Sequence, residues 1–115
     1  MRMVEPELWV YVKNEKLYIH YGNGRYGYWK YTFKFRNSTF ELIGYDSIDS
    51  DGPVINNETS INFLTKKKLE RVNINQNTKS DEEKFEEKRK DIEVNKLIQL
   101  SEIKDFDDLD LKSKF

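Results

Sequence analysis

The stretch Tyr28-Trp29-Lys30-Tyr31-Thr32-Phe33-Lys34-Phe35-Arg36 most narrows what this chain can become. Polar Lys30, Thr32, Lys34 and Arg36 alternate with Trp29, Tyr31, Phe33 and Phe35. A period of two belongs to a strand with one dry face and one wet face. After Asn37-Ser38 the alternation resumes in Thr39-Phe40-Glu41-Leu42-Ile43-Gly44-Tyr45, which makes the pair a hairpin. Counting outward from an Asn37-Ser38 turn sets Phe35 opposite Phe40, Lys34 opposite Glu41 and Phe33 opposite Leu42. That register satisfies both faces at once, whereas a slip by one residue turns every ring outward.

An earlier hairpin joins Leu8-Trp9-Val10-Tyr11-Val12-Lys13 to Lys16-Leu17-Tyr18-Ile19-His20-Tyr21 through Asn14-Glu15. In its register Leu8/Tyr21, Val10/Ile19 and Val12/Leu17 share one face, and Trp9/His20 and Tyr11/Tyr18 the other. The second face is therefore aromatic. Burial beneath the carboxy-terminal segment is its expected fate, with an exposed patch for a partner or a sugar ring as the alternative. The glycines of Gly22-Asn23-Gly24-Arg25-Tyr26-Gly27 mark a loop that needs positive φ.

Residues 46–59 read as a long polar connection broken at Gly52-Pro53, followed by short strands over 60–64 and 69–74. Charge dominates 81–90, where helix propensity is high but no apolar stripe exists to hold a helix on a core. The segment 75–91 is accordingly expected to be a mobile or solvated excursion, or the outer part of a long hairpin. Ile92 and Val94 suit a strand, and the acidic 105–115 stretch either docks as a final turn or trails as a tail. The expectation is one mainly-β domain over 1–115, an antiparallel β-meander of about six or seven strands as a sandwich or open barrel, with little helix.

At 115 residues the chain suffices for one domain with a core. Aromatic residues are 14% of it, so core volume comes from a few large rings. Charged residues are 36% but nearly cancel to a net charge of −1, which removes any global attraction to nucleic acid or an anionic membrane. With no cysteine there is no disulfide, thiol nucleophile or cysteine-based zinc site. The opening Met1-Arg2-Met3-Val4-Glu5-Pro6 has no apolar stretch of the kind a signal peptide needs, and no segment reaches the length of a membrane span.

The sharpest chemical signal is S-I-D-S-D-G-P-V-I-N-N-E over 47–58, which follows a calcium-loop template except at its first position. Asp49 and Asp51 would offer oxygens, Gly52 the turn, Pro53 a carbonyl and Glu58 a bidentate carboxylate. Ser47 in place of the first carboxylate, and strands rather than helices on both flanks, favour an ordinary hydrophilic loop over a metal site. His20 is the only histidine, and opposite a tryptophan it reads as a packing residue rather than a base, since no nucleophile or orienting acid is nominated. No serine sits in a nucleophile elbow. The glycine-rich loop precedes a strand, so it lacks the helix terminus that cradles phosphate. Rings and lysines of the central strand point to opposite faces, with Lys34 paired to Glu41, which argues against a stacking platform for nucleic acid.

Three motifs in a fixed order carry a family likeness: G-Y-W-K-Y-T-F-K-F-R-N-S-T-F-E-L-I-G-Y-D over 27–46, E-T-S-I-N-F-L-T-K-K-K over 58–68, and L-I-Q-L-S-E-I-K-D-F-D over 97–107. Together they resemble the carboxy-terminal half of a group of uncharacterised bacterial proteins that carry a signal peptide or lipoprotein signal upstream. The resemblance implies a bacterial β-domain, periplasmic or lipoprotein-anchored, with no known activity. This chain starts directly at the first strand, as a fragment or a shortened version would. The function expected is a non-enzymatic interaction domain of an envelope or secreted protein. It would recognise a protein or peptidoglycan-associated partner through Trp9, Tyr11, Tyr18 and His20, or through an exposed sheet edge. A cytoplasmic toxin-immunity or inhibitor protein is the alternative, and a β-module stabilised by calcium at Asp49, Asp51 and Glu58 a third.

Overall fold

Both two-residue turns form as counted, and each lies in the left-handed region at both central positions: Asn14 at φ 51° and Glu15 at 64°, Asn37 at 51° and Ser38 at 64°. These are type I′ turns, whose twist matches that of the strands they join. The computed structural model describes residues 7–22, 24–52, 54–74, 84–106, 109 and 111–115. Strands β1 (Glu7–Lys13), β2 (Lys16–Gly22), β3 (Gly27–Arg36), β4 (Thr39–Asp51), β5 (Val54–Asn62), β6 (Lys67–Asn73) and β7 (Phe85–Asp91) form one antiparallel meander in sequence order. Every pair counted from the turns is present, including Phe33 with Leu42, Phe35 with Phe40, Val10 with Ile19 and Trp9 with His20. A bulge between Thr32 and Phe33 leaves Ile43 as the extra residue of β4.

Pairing extends further than the sequence suggested. Residues 46–59 are not a long connection: β4 runs on to Asp51 and β5 starts at Val54, so the two close on a tight turn with Gly52 at φ 63°. Ladder hydrogen bonds satisfy backbone groups that a long loop would leave to water. The β5–β6 turn is held by Asn62, whose Oδ1 accepts from the N–H groups of Leu64 at 3.0 Å and Thr65 at 3.1 Å. Within the charged 75–91 segment, 75–83 lie outside the described residues. Its second half is not a solvated excursion but, as in the hairpin alternative, a paired arm: β7, which runs along β6 from Asn73/Phe85 to Lys67/Asp91. Cross-strand ion pairs Arg71–Glu87 and Lys67–Asp91 do there what apolar contacts do elsewhere. Ile92 and Val94, expected in a strand, fall just after it in irregular chain.

One face of the sheet is covered, and by a strap rather than a second sheet. Residues 92–115 leave β7 where Ile92 donates to the Lys66 carbonyl at 3.0 Å, then reach β4, where Leu42 donates to Ile98 at 2.7 Å. The Phe106 ring sits 4.9 Å from that of Tyr31 and 6.1 Å from that of Tyr21. The chain turns back through the short helix α1 (Leu111–Lys114) and ends with Phe115 edge-on to Phe63 at 5.2 Å. The acidic 105–115 stretch therefore docks, although 107, 108 and 110 lie outside the described residues. Phe33, Leu42, Ile61 and Leu111 are the fully buried centre of this packing, with Ile19, Tyr31, Tyr45, Phe63 and Ile92 around them. Lys68 is buried with them, its ammonium donating to the backbone oxygen of Phe115 at 2.9 Å and paired with Glu70 at 2.8 Å. A radius of gyration of 15.6 Å, against about 13 Å for a compact domain of this length, fits one sheet with one cover.

The strap stops short of β1. All seven residues of β1 are exposed, and Phe35 at the far hairpin tip is exposed too, although both were counted into the apolar face. Leu111→Ala should cost about 3 kcal/mol, because it empties a sealed site. Val12→Ala, at a side chain 70% exposed, should change stability by less than about 0.5 kcal/mol. Chemical denaturation of the two variants checks both values.

Candidate functional site

The face opposite the strap is open, and its β1–β3 end gathers most of the rings that the core does not use. Trp9 stacks on His20 at 5.2 Å with an interplanar angle of 18°, and Tyr11 stacks on Tyr18 at 5.0 Å and 19°. Tyr28, the next strand over, meets His20 edge-on at 4.9 Å. Register explains the assembly: β1, β2 and β3 place Trp9, His20 and Lys30 in one row and Tyr11, Tyr18 and Thr32 in the next. The expected burial of this face does not occur, because the carboxy-terminal segment packs on the opposite side. Trp9 stays 49% and Tyr11 43% exposed.

Two glycines shape the hollow beside Trp9. At Gly22 a Cβ would come within 3.2 Å of the indole, so glycine leaves the ring room to lie on His20. At Gly27, φ is 107° and a Cβ would collide with the Ile48 carbonyl oxygen, so only glycine lets β3 approach β4 there. The result is a shallow depression of about 340 Å³ bounded by Glu7, Trp9, His20, Tyr28 and glycines 22, 24 and 27.

Lysines share this face, which sequence reasoning missed. On β3 alone, Lys30 and Lys34 do lie opposite Trp29, Tyr31 and Phe33. Across the β2–β3 pairing, however, Lys30 falls beside His20 and Lys34 beside Lys16, on the side of Tyr18 and His20. The Lys30 ammonium sits 5.5 Å from the centre of the Tyr18 ring, within cation–π range. Glu41 lies opposite Lys34 as counted, but its ion pair is with Arg36 at 3.4 Å. The signal was present in the β2 and β3 alternations taken together, since pairing outward from each turn fixes which face of one strand joins which face of the next.

His20 is held below its ordinary value of 6.5 by burial first and by the nearby Lys30 charge second, so its imidazole is neutral at neutral pH. Its neighbours are two rings and an ammonium.

Asp49, Asp51 and Glu58 are not gathered into a calcium loop. Residues 47–51 and 54–58 are paired strands, with Asp49 opposite Asn57 and Ile48 opposite Glu58, so Asp49 and Glu58 project to opposite faces. Glu58 accepts from Arg71 at 2.9 Å. Pro53 lies outside the described residues. Among the described residues, no group of three or more His, Cys, Asp or Glu side chains is placed to hold a metal ion. Among the same described residues, no helix is long and apolar enough to cross a membrane. Comparison with protein-family models, with curated proteins and with solved structures gives no match.

Because the folded chain disfavours the imidazolium, the unfolded chain binds more protons as pH falls through 6.5. His20 therefore contributes stability above that value which is lost below it. By NMR, His20 should titrate below 6.5, and Lys30→Gln should move the midpoint upward. Millimolar calcium should leave the melting temperature unchanged, since only a ligand that binds the native state raises it.

Proposed function

We propose that this chain is a non-enzymatic interaction domain that binds a protein partner on the open face around Trp9, Tyr11, Tyr18 and His20. The observation that carries the reading is that Trp9 and Tyr11 stay about half exposed while fixed in stacks against His20 and Tyr18. Rings ordered before binding lose little conformational freedom when a partner covers them, which is why tyrosine and tryptophan dominate binding hot spots. On the same face Lys30 lies in the Trp9 row, and Lys13, Lys16 and Lys34 form the row beyond Tyr11; they favour a partner surface that is acidic around an apolar centre. Stacked face to face, the rings of β2 present edges rather than open faces, which suits a protein surface better than the bases of single-stranded nucleic acid. The resemblance carried by the three sequence motifs is what supports assigning such a domain to the envelope or the secreted proteins of a bacterium.

The test is a comparison of the wild type with the double variant Trp9→Ala/Tyr11→Ala, each immobilised and exposed to an envelope extract of the native host. The wild type should retain a protein that the variant does not, at a loss of roughly a hundredfold or more in affinity. Melting temperatures of the two should agree within a few degrees. Equal retention by both would sink the proposal, and an unfolded variant would show the face to be core instead.

A further inference from the structure

The two edges of the sheet are finished differently. Strand β7 presents Glu86, Glu87, Lys88, Arg89, Lys90 and Asp91, all exposed, and such charge deters further strand pairing. Strand β1 presents Leu8, Trp9, Val10, Tyr11 and Val12, at 53%, 49%, 58%, 43% and 70% exposure, with charge only at Glu7 and Lys13. Among the described residues nothing pairs with its outer side. The type I′ turn binds Lys13 to Lys16, so alternate residues from Lys13 bond to β2 and the polar backbone groups of Leu8, Val10 and Val12 point outward. This is an unprotected, apolar template for another strand.

We propose that its occupant is a second copy of the chain, joined β1 to β1 about a two-fold axis at Val10. The sequence of the strand is self-complementary in that antiparallel register. Glu7 falls opposite the second copy's Lys13, Leu8 opposite its Val12, Trp9 opposite its Tyr11, and Val10 opposite its Val10. Leu8, Val10 and Val12, the residues with outward-pointing backbone groups, are then the hydrogen-bonded pairs. The rings fit the same register. Trp9 and Tyr11 each use one face on β2 and leave the other toward the open edge. Setting Trp9 against the second copy's Tyr11 continues each two-ring stack into a four-ring one across the seam. Registers centred on Trp9 or Tyr11 pair fewer residues of β1 and separate Glu7 from Lys13. Closure is complete, because an isologous contact uses up the apolar edge of both copies and leaves the charged β7 edges outermost. Trp9 and Tyr11 serve in both this proposal and the partner reading, but the Val10 and Glu7/Lys13 variants alter only the edge and leave the rings of the open face in place, so the two fail separately.

The experiment is sedimentation equilibrium of the full chain over a range of concentration, with circular dichroism to confirm folding. The mass should rise from 13.9 kDa toward twice that value. Val10→Pro removes an N–H that the monomer does not use, and an edge strand tolerates it. Val10→Lys sets two like charges against each other at the axis. Each should weaken association by roughly tenfold or more while the fold persists. Glu7→Lys alone should weaken it several-fold, and the exchange Glu7→Lys/Lys13→Glu should restore it, because opposed signs face each other again. A wild type that stays at 13.9 kDa up to roughly 1 mM overturns the proposal. So does a dimer indifferent to both Val10 variants, or one that the charge exchange fails to restore. If β1 instead captures a strand of a different protein, the wild type remains monomeric alone and the proposal fails.

Discussion

Phe33 facing Leu42 across the Asn37-Ser38 turn is the contact on which the remaining geometry depends. Both side chains are fully buried, and with them inside, the period of two sets the orientation of the rest of β3; on β4 it holds up to the bulge at Ile43 and resumes one residue out of step, with Tyr45 beside Tyr31. Adjacent strands inherit their faces through the ladder: Phe33 lies beside Leu17, and Tyr31 beside Ile19 on one side and Tyr45 on the other. The covered face and the open face are thus settled by one pair and two tight turns. What remains for the chain is to find material with which to cover the apolar side.

That material is limited. The strap of residues 92–115 reaches Tyr21 and Tyr31 through Phe106 and Phe63 through Phe115, and so spans the sheet from β2 to the β5–β6 end. It leaves β1 beyond its reach, which is why Leu8, Val10 and Val12 stay exposed despite facing the same way as Ile19 and Phe33. At the opposite edge the chain solves the problem by composition. There β7 carries charges in register with those of β6, and Arg71 lies between Glu58 and Glu87 while packing over the Phe85 ring at 4.4 Å. The exposed pairs among them contribute about 0–1 kcal/mol each, so they specify pairing more than they stabilise it.

The first two hairpins could be read from residues 8–45 down to individual pairs, because there the alternation is strong and the turns are two residues long. The β4–β5 hairpin was missed since Asp46, Ser47, Asp49, Ser50 and Asp51 look like loop residues by composition. Nothing local reveals that a ladder will hold polar residues whose side chains lie on a half-wet sheet. β7 was legible only as the hairpin alternative for 75–91, because its pairing rests on partners in β6 and not on an apolar pattern of its own. The aromatic rows of the candidate site were legible, but that the strap would cover the other face was not. Which side a strap takes is a tertiary choice, made here by the larger apolar area around Phe33, Leu42 and Ile61.

The order in which this architecture can be completed follows from where its cover lies in the chain. Neighbouring strands pair with neighbours in sequence, so hairpins can close as soon as both arms exist. The strap is made after all seven strands, and until it arrives the Phe33, Leu42 and Ile61 side of the sheet has nothing over it. During synthesis the nascent sheet is therefore a sticky intermediate with an apolar face and an apolar edge both bare, the state in which a chaperone earns its place at the ribosome.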